Sequence, residues 1–142
     1  MNDYWRHRKF LNSYREAFDE YKEIWIRKYD LEHPDVKALN VKPDRISGGI
    51  QTDLSDMVSQ IEDIIEMYNG RLAILREKMA AVRDAIENEP NETCRKILSF
   101  RYIDFLKLNE IAEIMEKSPS YIYQLHGDAV RRLKYKEVFD DG

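Results

Sequence analysis

Cysteine, glycine and proline are all scarce in this 142-residue chain. Cys94 is the single cysteine, which excludes an intramolecular disulfide and a cysteine-based zinc site and makes a reducing cytoplasm the expected setting. Five Gly and four Pro, set against 35% charged residues, leave few breakers and favour long helices over a β-rich fold. No apolar run approaches the ~20 residues of a membrane span, and the opening MNDYWRHRKF lacks the apolar core of a signal peptide. No membrane partner is expected. His7, His33 and His126 are scattered, and neither a Gly-rich phosphate loop nor a Ser/His or Cys/His nucleophile pair is evident. The expectation is a non-enzyme that uses no cofactor and no metal.

What the chain does have is charge, unevenly distributed. Residues 95–136 carry nine Lys/Arg against five Asp/Glu, whereas the chain as a whole has a net charge of −4. A basic C-terminal module on an acidic body is the asymmetry worth following. Residues 1–33 read as an N-terminal amphipathic helix, because Tyr4, Leu11, Phe18 and Trp25 recur every seven residues, with Tyr14 and Tyr21 between them. Residues 34–52 form a loop containing Pro43 and Gly48-Gly49.

Residues 53–88 form a second helix, with Thr52 or Asp53 as its cap. Its apolar positions are Leu54, Val58, Ile61, Ile65, Tyr68, Leu72, Leu75, Met79, Val82 and Ile86, spaced four and three without interruption. Such a helix is on the order of 50 Å long, and the shorter first helix covers only part of its stripe. Self-association is therefore expected, with a dimer as the first guess. Gly70 interrupts this helix at a cost of about 1 kcal/mol relative to Ala, consistent with a close approach. The fold class expected is all-α: a coiled-coil-like helical hairpin followed by a module over residues 92–136, then an acidic tail at 137–142.

The module carries the informative stretch, LNEIAEIMEKSPSYIYQLHGDAVRRLK. A helix-turn-helix needs a small residue where two helices cross, apolar residues closing the corner and a sharp turn. Ala112 supplies the small contact, with Ile111 and Met115 beside it and Ile122 and Leu125 answering. Ser118 and Pro119 are a helix start, and the expected helices are 92–104, 108–115 and 119–135. The turn departs from the usual pattern in having Glu116 instead of Gly and Lys117 instead of an apolar residue.

At 100° per residue, Ile122, Leu125, Ala129 and Leu133 form the buried stripe of the last helix. Ser120, Gln124, Gly127 and Arg131 lie opposite, flanked by Tyr121, Tyr123, Asp128 and Lys134. Gln can pair with adenine in two bonds, Ser serves several bases, and Tyr reaches phosphates or a thymine methyl. Arg131, Arg132, Lys134 and Lys136 suit the backbone. Ser118, Ser120, Tyr121, Tyr123, Gln124, Arg131, Arg132 and Lys134 are thus the candidate DNA-binding residues. His126 is expected to be half-buried, and Cys94 to be a small buried residue.

RKILSFRYIDFLKLNEIAEIMEKSPSYIYQLHGDAVRRLK resembles the fourth conserved region of bacterial sigma factors, through Arg101-Tyr102, Glu110-Ile111-Ala112, Ser118, Ile122, Gln124, Ala129 and Arg131-Arg132-Leu133. The chain is similar, in length and in its loop and C-terminal pattern, to the RinA/ArpU-type phage transcriptional regulators. These resemblances imply a helix-turn-helix that binds double-stranded DNA, contact with RNA polymerase, and control of late phage or autolysin-type genes. Primary sigma factors place Arg at the positions of Pro119, Tyr121 and Tyr123 and an acid at Ser120, so the ordinary sigma hexamer is not the expected target. Two alternatives stay open: a polymerase-binding interaction protein with a vestigial DNA face, and a small terminase subunit. Trp25, within YKEIWIRKY, is read as a core heptad position.

Overall fold

The computed structural model describes residues 3–34 and 54–138. The loop at 35–52, the caps considered at Thr52 and Asp53, and residues 139–142 of the acidic tail lie outside them. The fold is all-α, with five helices and no strand among the described residues: α1 (Tyr4–Glu32), α2 (Leu54–Glu87), α3 (Glu92–Tyr102), α4 (Leu108–Met115) and α5 (Pro119–Arg131). Among these residues no helix is long and apolar enough to cross a membrane.

Two compact units divide the chain, residues 1–19 with 74–142, and residues 20–73. The division falls within both long helices, whereas the sequence boundaries follow the helix ends. In the first unit α1 buries His7, Phe10, Leu11, Tyr14 and Ala17, and α2 buries Leu75, Met79, Val82, Ala85 and Ile86. Arg83 of α2 donates to the Tyr14 hydroxyl at 2.7 Å and stacks over its ring. In the second unit Arg71 forks onto Glu20 (Nη2–Oε1 2.8 Å), and Leu72 and Ile24 are buried.

The seven-residue spacing in α1 misplaces its last members. Trp25 is 49% exposed and stacks on Tyr29 instead of entering a core, and the neighbouring Ile24 is the buried residue. The buried positions Phe10, Ala17 and Ile24 keep the seven-residue spacing, so the seam runs one position earlier than Leu11, Phe18 and Trp25. Along α2 the apolar stripe also divides: Leu54, Met57, Val58, Ile61 and Ile64 are exposed, in contrast to the buried positions from Leu72 onward. Among the described residues nothing approaches within 4 Å of where a Cβ would stand at Gly70, so they do not supply the close approach expected there.

Helices α3 to α5 pack on a shared cluster of Ile97, Ile111, Ala112 and Ile122, with Phe100, Leu106, Leu108, Met115 and Leu125 around it. Each start is capped. The Asn91 side chain accepts from the Cys94 amide at 3.0 Å, the Glu110 carboxylate accepts from the Lys107 amide at 3.0 Å, and the Ser118 hydroxyl accepts from the Tyr121 amide at 3.2 Å.

Two backbone positions have positive φ without being glycine, Phe105 (64°) and Glu116 (55°). They differ in what compensates them. The Phe105 ring packs near Phe18 and Tyr14 under the Arg15 guanidinium. Glu116 is exposed, and its backbone amide reaches the carbonyl of Glu113 at 3.2 Å. Glu116→Gly should therefore raise the unfolding free energy by about 1 kcal/mol, because the left-handed conformation penalises a Cβ. Phe105→Gly, on the same backbone argument, should instead destabilise through the lost ring contacts. Paired urea titrations check both signs.

Candidate nucleic-acid interface

α5 begins at Pro119, which occupies the first helical turn where its missing amide hydrogen costs nothing, directly after the Ser118 cap. Its inner side is broader than the four-residue stripe read from the wheel. Ile122, His126, Gly127, Ala129 and Val130 are all buried, with Leu125 only partly so. The extra burial comes from α1, whose first turns meet α5. His7 Nδ1 donates to the Val130 carbonyl at 2.6 Å, and the Tyr4 ring stands edge-on to His126 at 6.4 Å.

His126 is thus fully buried, not half-buried. The Tyr102 hydroxyl lies 2.7 Å from its Nε2. Burial, reinforced by the charges of Arg8 and Arg101, lowers the His126 pKa to about 4. Gly127, placed on the outward face by the wheel, is also buried. The Arg131 guanidinium folds over it, 3.2 Å from where a Cβ would stand, and lies 5.6 Å above the Tyr4 ring.

The outer face retains most of the expected residues. Ser120, Tyr121, Tyr123, Gln124 and Arg131 are exposed. Ser120 and Gln124 make no side-chain hydrogen bond among the described residues. The Tyr123 hydroxyl donates to Asn109 Oδ1 at 3.2 Å, which ties α5 to α4, and Lys117 sits 5.9 Å above the Tyr121 ring. Arg131 reaches Asp128 at 3.5 Å, an exposed pair of little energetic weight. Ser118 acts as the cap, with its hydroxyl oxygen engaged.

Two of the expected basic residues lie beyond the helix, which ends at Arg131 instead of 135. The reason is local. Arg132 leaves helical geometry (φ −95°, ψ 9°) and directs its fork onto Glu89. That carboxylate is 3% exposed on its side chain, and Arg132 Nη2 also lies 3.2 Å from Cys94 Sγ. Arg132 thus anchors the buried Glu89 while 43% of its side chain stays exposed. Lys134 is exposed in the segment that follows, where Tyr135 stacks on Phe10 at 3.9 Å. Cys94 is fully buried, and burial raises its thiol pKa. Sequence reasoning missed Glu89, Tyr135 and the first turns of α1, for which no local periodicity signals a partner.

Among the described residues no group of three or more His, Cys, Asp or Glu side chains is placed to hold a metal ion. The arrangement defines an all-α chain with a long helix pair and a capped C-terminal helix bearing amide, hydroxyl and guanidinium groups outward. No protein-family model, curated protein or solved structure matches the chain.

Proposed function

We propose that the chain is a sequence-specific double-stranded DNA-binding transcriptional regulator of phage origin, in which α4 and α5 act as a helix-turn-helix. The observation that carries the reading is the two-sidedness of α5. Ala112 and Ile122 are buried in the cluster beneath it, while Ser120, Tyr121, Tyr123 and Gln124 face outward. A helix held this way can lay its outer side chains along base edges in a major groove. Activation of late or autolysin-type genes beside RNA polymerase extends the reading on resemblance alone. Arg132 drops out of the contact set; Arg131, Lys134 and Lys117 remain for phosphates.

Electrophoretic shifts with upstream phage DNA test it. Binding should weaken steeply with salt as counterions are released. Gln124→Ala should cost about 1–3 kcal/mol on the specific site and little on random duplex. Failure of the wild type to bind any duplex at low salt, alone or with polymerase, would sink the proposal. The internal bonds of Tyr123 to Asn109 and Arg131 to Asp128 favour one competing reading, a polymerase-docking protein with a vestigial DNA face. A polymerase pull-down that survives substitution of Ser120, Gln124 and Arg131 would select it.

We also infer a homo-oligomer, dimeric in the first instance. The exposed residues Leu54, Val58 and Ile61 continue the same four-three spacing that buries Leu72 to Ile86. Val58→Asp with Ile61→Asp should reduce the molar mass in light scattering to that of one chain, because a charge in an apolar seam is costly. Leu72→Asp should instead unfold the chain, since Leu72 is buried within it. A monomeric wild type would refute the seam, and a ring-sized assembly would move the reading to a small terminase subunit.

A further inference from the structure

Next to α5 the first unit holds a cavity of about 390 Å³, whose polar lining comes from Arg8, Arg101, Lys107, Asn109, Tyr123 and His126. No Asp or Glu lines it. None of its three cations forms an ion pair among the described residues. Arg101 gives one N–H to the Leu106 carbonyl at 3.0 Å. Arg8 is the more telling residue, because its Nε is buried without a hydrogen-bond partner. Buried donors are normally satisfied, and Arg8, whose guanidinium also lies 5.5 Å from the Trp5 ring, is one of the three cations lining this cavity. The nearest acid on the same turn, Glu110, is engaged in capping the Lys107 amide. Tyr123 and Asn109 offer a hydroxyl and an amide at the rim, and α4 brings the positive end of its dipole.

We propose that this cavity binds a phosphate group, and that its source is a backbone diester of the DNA strand running beside α5. The choice of source rests on the DNA-binding reading above; the phosphate chemistry does not. Arg8 and Arg101 would supply guanidinium donors and Lys107 a point charge. The contact would fix the register of α5 on the duplex without reading sequence. α1 would thereby take part in binding through Arg8, a residue far from the motif in sequence.

The full-length chain tests this with two probes, a short duplex and inorganic phosphate. With duplex, Arg101→Gln and Lys107→Gln should each flatten the slope of log K against log salt by about 1 and weaken cognate and random DNA alike. Arg8→Gln should act the same way; the other two variants carry the test if it fails to fold. Unchanged slopes in both Arg101→Gln and Lys107→Gln would overturn the diester assignment while leaving DNA binding intact. If the wild type binds no duplex, the DNA source falls and inorganic phosphate decides the cavity. A saturable shift of the His126 ring resonances, lost in Arg101→Gln, would establish a site for free phosphate. No shift with phosphate or duplex would overturn the cavity as a phosphate site.

Discussion

Arg132→Ala should lower the unfolding free energy by about 3–5 kcal/mol, the loss expected when a buried ion pair is left with one uncompensated charge. The asymmetry of the pair sets the size. Glu89 is 3% exposed on its side chain and Arg132 43%. The carboxylate accepts from Arg132 Nε at 3.1 Å, from Nη2 at 2.5 Å and from the Asn91 amide at 3.1 Å. Without Arg132 it keeps a single amide donor in a site that water reaches poorly. The reciprocal change, Glu89→Gln, leaves a guanidinium that can hydrate and should cost about 1 kcal/mol. Arg132→Lys should recover little, since a point charge cannot reproduce a two-pronged contact. Urea denaturation midpoints at constant m-value give the three numbers. Equal losses for Arg132→Ala and Glu89→Gln would show that burial of the carboxylate is not what sets the energy.

The chain should also lose stability on mild acidification, because of His126. Its pKa is about 4 in the folded state against an ordinary 6.5. Below pH 6.5 the unfolded chain takes up a proton that the folded chain refuses, so stability is full above 6.5 and falls toward pH 4. The expected loss is about 2 kcal/mol between pH 6.5 and 5, and about 3 kcal/mol by pH 4. His126→Leu removes that titration together with the Tyr102 hydrogen bond. It should be less stable at pH 7.5 but show a flatter pH profile. Denaturation of both proteins at pH 7.5, 6 and 5 isolates the contribution, since the carboxylate background is common to the two. Parallel profiles would mean that His126 titrates normally.

Local signals in the sequence were enough to locate the helices. The start of α5 follows from Ser118-Pro119, and the bounds of α1 and α2 follow from the breakers around them. The meeting of Ala112 and Ile122 follows from their ten-residue separation, because crossing helices place small and branched side chains together at that spacing. What was illegible is partnership. A periodic stripe says which side of a helix is apolar but not what lies against it, so α2 read as one seam although its first half is exposed. His126 and Gly127 were assigned by angle from the buried stripe of α5 alone, and their burial comes from α1 and from the folded-back Arg131. The Glu89–Arg132 pair links residues 43 apart in the chain, and no pattern in composition announces it. Within the candidate interface, the outward Ser120 and Gln124 were readable, whereas the cavity depends on Arg8 from a helix that the sequence assigned to another module.

The hydrogen bond from His7 to Val130 joins residues 123 positions apart, and it bears on how the chain assembles during synthesis. Such a contact raises the contact order of a helical protein, and distant closures slow folding. α1 leaves the ribosome well before α5 exists, so His7 and Phe10 must wait partly unsheltered for Val130 and Tyr135. The outward helix cannot be locked in place until that closure occurs. A transcript cut short within α5 would yield a chain whose first turns lack Val130 and Tyr135, the partners of His7 and Phe10, so quality control could recognise incompleteness at the opposite end from the missing residues.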